Sequence, residues 1–387
     1  MEDLGLLDEY NVKVFRDEED TPTIINKLLE GSSSEDAFFV VDVGKIIRQY
    51  QRWTEALPNV QPYYAVKANP NILILKVLAS LGSNFDCASK NEIAAVLGII
   101  GEESERIIFA NPCKMSSQLK YARANDIDLL TFDSDHELYK IKLYHPNAKL
   151  ILRLKVNDLG SKCQFGCKFG VPLEDVQRIL SIAKTLDLNI KGVSFHVGSG
   201  CKDPDRYRTA IEDSLKSFEI ARDLGFDMEI LDIGGGFEDE PQDSFEQVSE
   251  VVRKSLDGFG GKVIAEPGRF FVSSSHTLVL NVIGKKTFED TRTYYLNDGV
   301  YGAFNCIYFD HVIPKIYPYN ERDGQVYKSK IFGPTCDSID MIAGSIDLPD
   351  LAIGEWVYVE NFGAYTCAAS STFNGFSQTA PVYILTT

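Results

Sequence analysis

Pro62-Tyr63-Tyr64-Ala65-Val66-Lys67-Ala68-Asn69-Pro70 reads as a buried strand that ends at a turn with a lysine at its mouth. Burying an ammonium is costly, and packing alone gives an apolar strand no reason to carry one. A partly desolvated lysine releases its proton more readily, which makes Lys67 a Schiff-base candidate. Seven further apolar runs line up behind this one: Phe85–Ser89, Ile107–Asn111, Leu129–Asp133, Leu150–Val156, Gly192–Gly198, Ile230–Gly234 and Val263–Gly268. The first four runs begin about 22 residues apart, which suits repeated strand–helix units. Helical patterns at Ile72–Leu81, Glu92–Ile100, Val176–Leu186 and Tyr207–Leu224 fill the gaps. Ser89-x-x-Glu92 and Ser134-x-x-Glu137 have the form of capping boxes. Eight βα units in succession predict an α/β fold, a TIM-type (β/α)8 barrel.

Outside these units the pattern changes. Ala37–Val43 reads as a strand, and from Phe271 onward strands and turns dominate, at Thr277–Val282, Thr293–Leu296, Val326–Phe332, Trp356–Glu360 and Pro381–Leu385. The expected organisation is an acidic N-terminal segment (1–36), an N-terminal strand joining the β domain (37–43), a barrel (44–270) and a C-terminal all-β domain (271–387).

The chain of 387 residues carries a formal charge of −17, about half of it before Ala37 in Glu2-Asp3, Asp8-Glu9 and Asp17-Glu18-Glu19-Asp20. That segment reads as a solvated arm. Nucleic acid is not an expected partner, because phosphates demand basic surface. No apolar stretch has the length of a bilayer span, and the first residues do not resemble a secretory signal. Eight scattered cysteines look like free thiols, so a cytoplasmic location is expected. Cys163-x3-Cys167 lacks a second pair or a nearby histidine, and no metal site is expected.

TIM barrels place their chemistry at the C-terminal ends of the strands. Here those ends carry Lys67, Asp86, Asp133, Arg153, His196, Gly234-Gly235-Gly236, and Glu266 with Arg269. Three glycines let backbone amides converge on an anion, although a tight turn without a ligand also explains them. Arg269 offers a forked cation to the same anion. Glu266 could keep a pyridine nitrogen protonated or simply pair with an arginine. His196 could stack on a ring while Ser199 caps a phosphate, or be structural. Lysine, phosphate cradle, acid and flat partner together point to pyridoxal 5′-phosphate.

Tyr64-Ala65-Val66-Lys67, Phe85-Asp86-Cys87-Ala88-Ser89-Lys90, His196-Val197-Gly198-Ser199-Gly200-Cys201 and Leu231-Asp232-Ile233-Gly234-Gly235-Gly236-Phe237 carry a more specific likeness. So do Glu266-Pro267-Gly268-Arg269, Asn297-Asp298-Gly299-Val300-Tyr301-Gly302, Gly333-Pro334-Thr335-Cys336-Asp337 and Gly363-Ala364-Tyr365-Thr366. From about Ala37 to Phe376 the sequence resembles the alanine-racemase-like, fold-III pyridoxal-phosphate decarboxylases, and within them the eukaryotic ornithine decarboxylase group. The resemblance implies that Lys67 attaches the cofactor, Glu266 pairs with its pyridine nitrogen and His196 stacks on its ring. It assigns the phosphate to Ser199, Gly235, Gly236, Arg269 and Tyr365, and support of the lysine to Asp86, Glu92 and Arg153. For Glu92 the capping reading stays open. Cys336 would be the proton donor to the α-carbon, and Asp310 and Asp337 would bind the side-chain ammonium of a diamino acid.

The resemblance also implies a head-to-tail homodimer with shared sites, in which Cys336, Asp337, Tyr301 and Phe373 come from the partner subunit. It leaves arginine or lysine decarboxylation, and a silent antizyme-inhibitor-like protein, as the alternatives. Phe309, Phe332 and Ala68 depart from the group's usual tyrosine, tryptophan and cysteine. The acidity of Asp133 to Glu137, near where antizyme docks on relatives, argues against antizyme as a partner.

Overall fold

The computed structural model describes residues 5–31, 33–158, 161–320 and 324–387. Among them, eight parallel strands close into a barrel in chain order: Val60–Ala65, Asn84–Cys87, Ile107–Phe109, Leu129–Phe132, Lys149–Arg153, Asn189–Ser194, Ile230–Asp232 and Lys262–Ala265. The expected barrel is therefore present. Each strand is shorter at its C-terminal end than its apolar run, because the last residues turn outward into loops. In-register pairs such as Ala65↔Asp86 and Ile264↔Asp232 bring those ends to one rim. Tyr63, Ile108, Ile151, Ile230 and Ile264 form a cluster within the barrel strands, consistent with strands that are covered on both faces and so run nearly continuously apolar.

Trp53, on the helix Val43–Ala56, is fully buried and donates from its indole N–H to the Val60 carbonyl at 3.0 Å. Its ring stacks on Phe245 at 5.6 Å and meets Phe237 edge-on at 4.9 Å. That cluster ties the helix Gln242–Ser255 to the one before the first strand. Buried aromatic surface of this size is a major part of a domain's stability.

The chain divides into two compact units, Ile47–Phe271 and the residues up to Ile46 together with Val272–Thr387. The second unit holds a nine-stranded mixed sheet. Phe38–Asp42 lies between Ala380–Thr386, to which it is parallel, and His276–Phe288, to which it is antiparallel. Asp42 fixes the first pairing, its carboxylate accepting from the Thr386 hydroxyl at 2.7 Å and the Thr386 amide at 3.2 Å. A strand at Met341–Pro349 pairs with Val326–Phe332 and was not legible in the sequence, where its apolar residues do not alternate.

The acidic N-terminal segment is not the solvated arm expected of it. Lys13–Phe15 pairs in parallel with the last strand, and Thr21–Leu29 is a helix. Asp20 caps that helix by accepting from the Thr23 amide at 2.8 Å, with Pro22 in the first turn. Phe15, Ile24 and Ile25 are buried with Val40, Val279 and Ile384. Three apolar side chains outweigh the solvation of the acidic run between them, in which Glu19 pairs with Lys27 and Asp20 caps the helix. Glu2 and Asp3 lie outside the described residues.

Phe39 is buried in the core of the second unit. Phe39→Ala should destabilise that unit by roughly 3 to 5 kcal/mol, read as a lower urea midpoint with an unchanged slope.

Candidate active site

Lys67 sits on the turn Val66–Ala68, immediately past the first strand. Its ammonium reaches the Asp86 carboxylate, which projects from the neighbouring strand and is fully buried. The other Asp86 oxygen, Oδ1, is enclosed without a hydrogen-bond partner. Lys67 itself remains 41% exposed, so its amine is open to an incoming ligand. Glu92 caps its helix one residue earlier than a reciprocal box requires, accepting from the Ala88 amide at 2.6 Å. Burial pushes the Glu92 carboxyl up, Asp86 adds to the shift, and Lys67 opposes it. Glu92 is thus both a cap and a neighbour of the lysine pair. The second box is not reciprocal either, because Glu137 turns to the buried Lys114 ammonium at 2.9 Å.

His196 follows the sixth strand. Its Nδ1 accepts from the Gly198 amide at 3.0 Å, so the ring proton sits on Nε2. Burial and the nearby Arg153 and Lys67 charges hold its pKa well below the ordinary histidine value. The ring is a neutral, flat surface. Arg153, ending the fifth strand, places its guanidinium over the Phe169 ring at 4.8 Å.

The glycines after the seventh strand are required by space. Gly234 has φ +63°, and a Cβ there would lie 2.1 Å from the Phe195 carbonyl oxygen. A Cβ on Gly235 would lie 2.7 Å from the Glu266 carbonyl oxygen and 2.9 Å from His196 Nε2. No side chain fits between the histidine and the eighth strand. Beside this loop, buried Arg269 donates to Ser199 Oγ at 3.1 Å. Glycine amides, a hydroxyl and a guanidinium form the donor set an anionic phosphate needs. Glu266, buried, supplies a carboxyl, and Lys67 an accessible amine. An orphaned carboxylate oxygen, a glycine cradle and this donor set fit pyridoxal phosphate.

The barrel unit therefore gathers Lys67, Asp86, Glu92, Arg153, His196, Ser199, Gly235, Gly236, Glu266 and Arg269 at the same end of its strands. The remaining candidates belong to the β unit. There Tyr301 donates its hydroxyl to Asp337 and stacks on Phe373 with ring centres 4.3 Å apart. The Tyr301 hydroxyl lowers the Asp337 pKa, with the Ile339 amide adding to it. Cys336 is exposed, and its amide donates to Asn374 Oδ1 at 2.9 Å. Asp310 is buried at the end of the short helix Cys306–Phe309. Tyr365 holds the left-handed conformation, φ +58°, which costs a non-glycine residue on the order of 1 kcal/mol.

Asp340 was not singled out in the sequence. It is buried and accepts from the Val300 amide at 2.8 Å, the Thr335 amide at 3.0 Å and the Thr335 hydroxyl at 2.7 Å. It thereby ties the loop bearing Cys336 and Asp337 to the segment bearing Tyr301. A carboxylate four residues beyond Cys336 was the available signal.

The barrel and its rim define an enzyme that uses pyridoxal phosphate. Residues 43–273 match the pyridoxal-binding domain of the pyridoxal-dependent decarboxylases, and the chain belongs to that family. It is similar to curated ornithine decarboxylases, among them that of Schizosaccharomyces pombe, 47% identical over 364 residues, covering 90% of this chain and 83% of the relative. Antizyme inhibitor 2 of Xenopus laevis is 45% identical over 381 residues, covering 93% and 83%. Among solved structures, the Paramecium bursaria Chlorella virus arginine decarboxylase bound to agmatine is 36% identical, with a TM-score of 0.90 and coverage of 94% and 100%.

Gly235→Ala should displace the loop locally and weaken pyridoxal-phosphate binding at least tenfold, because the methyl meets backbone and His196, which can shift only at some cost. Fluorescence titration of the cofactor-free protein measures it. Asp340→Ala should spare cofactor affinity and lower turnover on the order of tenfold, a split visible in parallel binding and rate measurements.

Proposed function

We propose that the protein decarboxylates L-ornithine to putrescine and carbon dioxide, the entry step of polyamine synthesis. The observation that carries this reading is the Tyr301–Asp337 pair beside Cys336, in a chain similar to ornithine decarboxylases over nine-tenths of its length. An ionised Asp337, kept so by the tyrosine hydroxyl and the Ile339 amide, suits the side-chain ammonium of a diamino acid. Asp310 is the second carboxylate for that ammonium.

The bound cofactor would supply an electron sink for the carbon that loses its carboxylate. The chain's own residues do the rest. Lys67 provides the amine that holds the cofactor and yields it to the substrate. Asp86 orients that amine between exchanges. Neutral His196 offers a ring face without a competing positive charge. Gly235, Gly236, Ser199 and Arg269, joined by Tyr365, bind the phosphate. Cys336 delivers a proton to the α-carbon from its thiol.

Cys336 lies in the β unit with exposed apolar neighbours. Tyr308, Phe309, Ile339, Met341, Phe373 and Phe376 are all exposed. The Tyr308 hydroxyl bonds the Ile339 carbonyl at 3.0 Å, and Phe373 stacks on Tyr301, so much of this surface is continuous. Exposed apolar area of this kind marks an interface. We read it as the face of a homodimer in which each subunit lends Cys336, Asp337, Tyr301 and Phe373 to its partner's barrel. The eight free cysteines support a cytoplasmic location.

A second reading follows from the likeness to antizyme inhibitor 2: a binding protein without activity. Against it stand the Lys67–Asp86 pair, the glycine cradle and the Arg269–Ser199 contact, all of which the reaction uses. The arginine decarboxylase likeness favours a related substrate, but Asp310 and Asp337 are both retained.

Carbon dioxide release from ornithine, lysine and arginine, with and without added pyridoxal phosphate, tests the function. Cofactor-dependent release fastest from ornithine is expected, and preference for lysine or arginine would overturn the substrate. Silence on all three would favour the binding protein. For the dimer, equal mixing of inactive Lys67→Ala and Cys336→Ala chains should restore about a quarter of wild-type activity, since half the dimers regain one of two sites. No restoration would mean that each chain completes its own site.

A further inference from the structure

Asp232 ends the seventh strand between Leu231 and Ile233, and all three are fully buried. Its Oδ1 accepts from the Gly234 amide at 2.9 Å. Its Oδ2 is enclosed and receives no donor. Strand register sets Asp232 against Ile264, two residues before Glu266, and the Glu266 amide returns to the Gly234 carbonyl at 2.7 Å. The two carboxyl groups come within hydrogen-bond reach of each other. Ionised carboxylates only accept, so that contact is empty of a donor until the pair holds a proton. Burial raises both groups, Asp232 to about 7 and Glu266 well above its usual range, with mutual repulsion adding to the latter.

Charge balance points the same way. The groups facing the pair are Asp86, Lys67 and Arg153, with His196 neutral nearby. Three carboxylates against two cations would leave the buried rim negative. One proton on the Asp232–Glu266 pair makes two against two.

We propose that Asp232 is a positioning residue that shares a single proton with Glu266, so the pair carries one negative charge at neutral pH. Before loading, burial favours the proton on Glu266; with a protonated pyridine nitrogen beside it, Glu266 would become the ionised member and Asp232 the donor to it. The strong hydrogen bond from a neutral acid to a carboxylate also fixes the orientation of Glu266. This role rests on the pyridoxal-phosphate assignment and is independent of which amino acid is decarboxylated.

Infrared titration of the full chain, before and after loading with pyridoxal phosphate, reads the proton directly. A protonated-carboxyl band persisting at neutral pH in the wild type, and diminished in both Asp232→Asn and Glu266→Gln, is expected. A wild type without the band, or a band of undiminished intensity in either variant, would overturn the proposal. An undiminished band would belong wholly to other buried acids such as Asp298, whose carboxyl burial also raises. Cofactor titration supplies the second readout. Asp232→Asn keeps an N–H for Glu266 and should hold pyridoxal phosphate within about threefold of the wild type, whereas Asp232→Ala should weaken it about tenfold. Equal binding by all three proteins, or equal loss in both variants, would overturn the positioning role. Neither readout involves substrate, so a wrong substrate assignment would leave both intact.

Discussion

Three carboxyl groups, Asp86, Asp232 and Glu266, are buried at the end of an otherwise apolar barrel, and the site is built around that burden. Desolvating an ionised carboxylate is expensive unless it is paired or hydrogen-bonded. Asp86 takes Lys67, Asp232 takes the Gly234 amide, and Glu266 lies beside Asp232. Gly234, whose amide serves Asp232, holds φ +63° with the Phe195 carbonyl oxygen 2.1 Å from where a Cβ would stand, which is why the position is glycine. The lysine and the acids answer one electrostatic constraint, and the glycine a steric one.

The β unit solves a different problem. Its loop at 333–340 must hold Cys336 at an exposed position without helix or strand to support it. Asp340 does so through backbone and hydroxyl donors on both sides of the loop, and Asp298 organises the neighbouring turn through the Gly299 and Ala303 amides. Gly299 and Gly333 leave room for the Asp340 carboxylate, since a Cβ on either would sit within 2.4 Å of its Oδ1. A rigid loop on a polar anchor keeps a reactive thiol in one place.

Much of this was legible in the sequence because the signals were local. A charged residue closing an apolar run marks a barrel strand end, which is how Lys67, Asp86, Arg153, His196 and Glu266 stand out. Motif glycines mark a backbone approach. What stayed hidden depends on which groups face each other. Asp232 lay inside a quoted motif, yet only strand register sets it against Glu266. Asp340 reads as one more solvated carboxylate until the loop closes on it. Glu137 satisfied a capping pattern, but the buried Lys114 ammonium is a stronger attraction than a helix-end amide. In the N-terminal segment, the charge of Asp17–Asp20 masked the spacing of Phe15, Ile24 and Ile25.

The strand Phe38–Asp42 has consequences for the order of events during synthesis. Asp42 and its partner Thr386 stand 344 residues apart. At roughly 5–20 residues per second, the ribosome needs on the order of 20 to 70 seconds to supply the second after the first. Until the strand His276–Phe288 emerges, Phe39 and Val41 lack the neighbours that bury them, and the parallel partner on the other side comes later still. The barrel, whose strands pair with their sequence neighbours, can form meanwhile. The early strand then waits as an exposed apolar edge until its two neighbours are made, so nascent chains that stall at the end of the barrel would present a surface prone to aggregation and to chaperone capture.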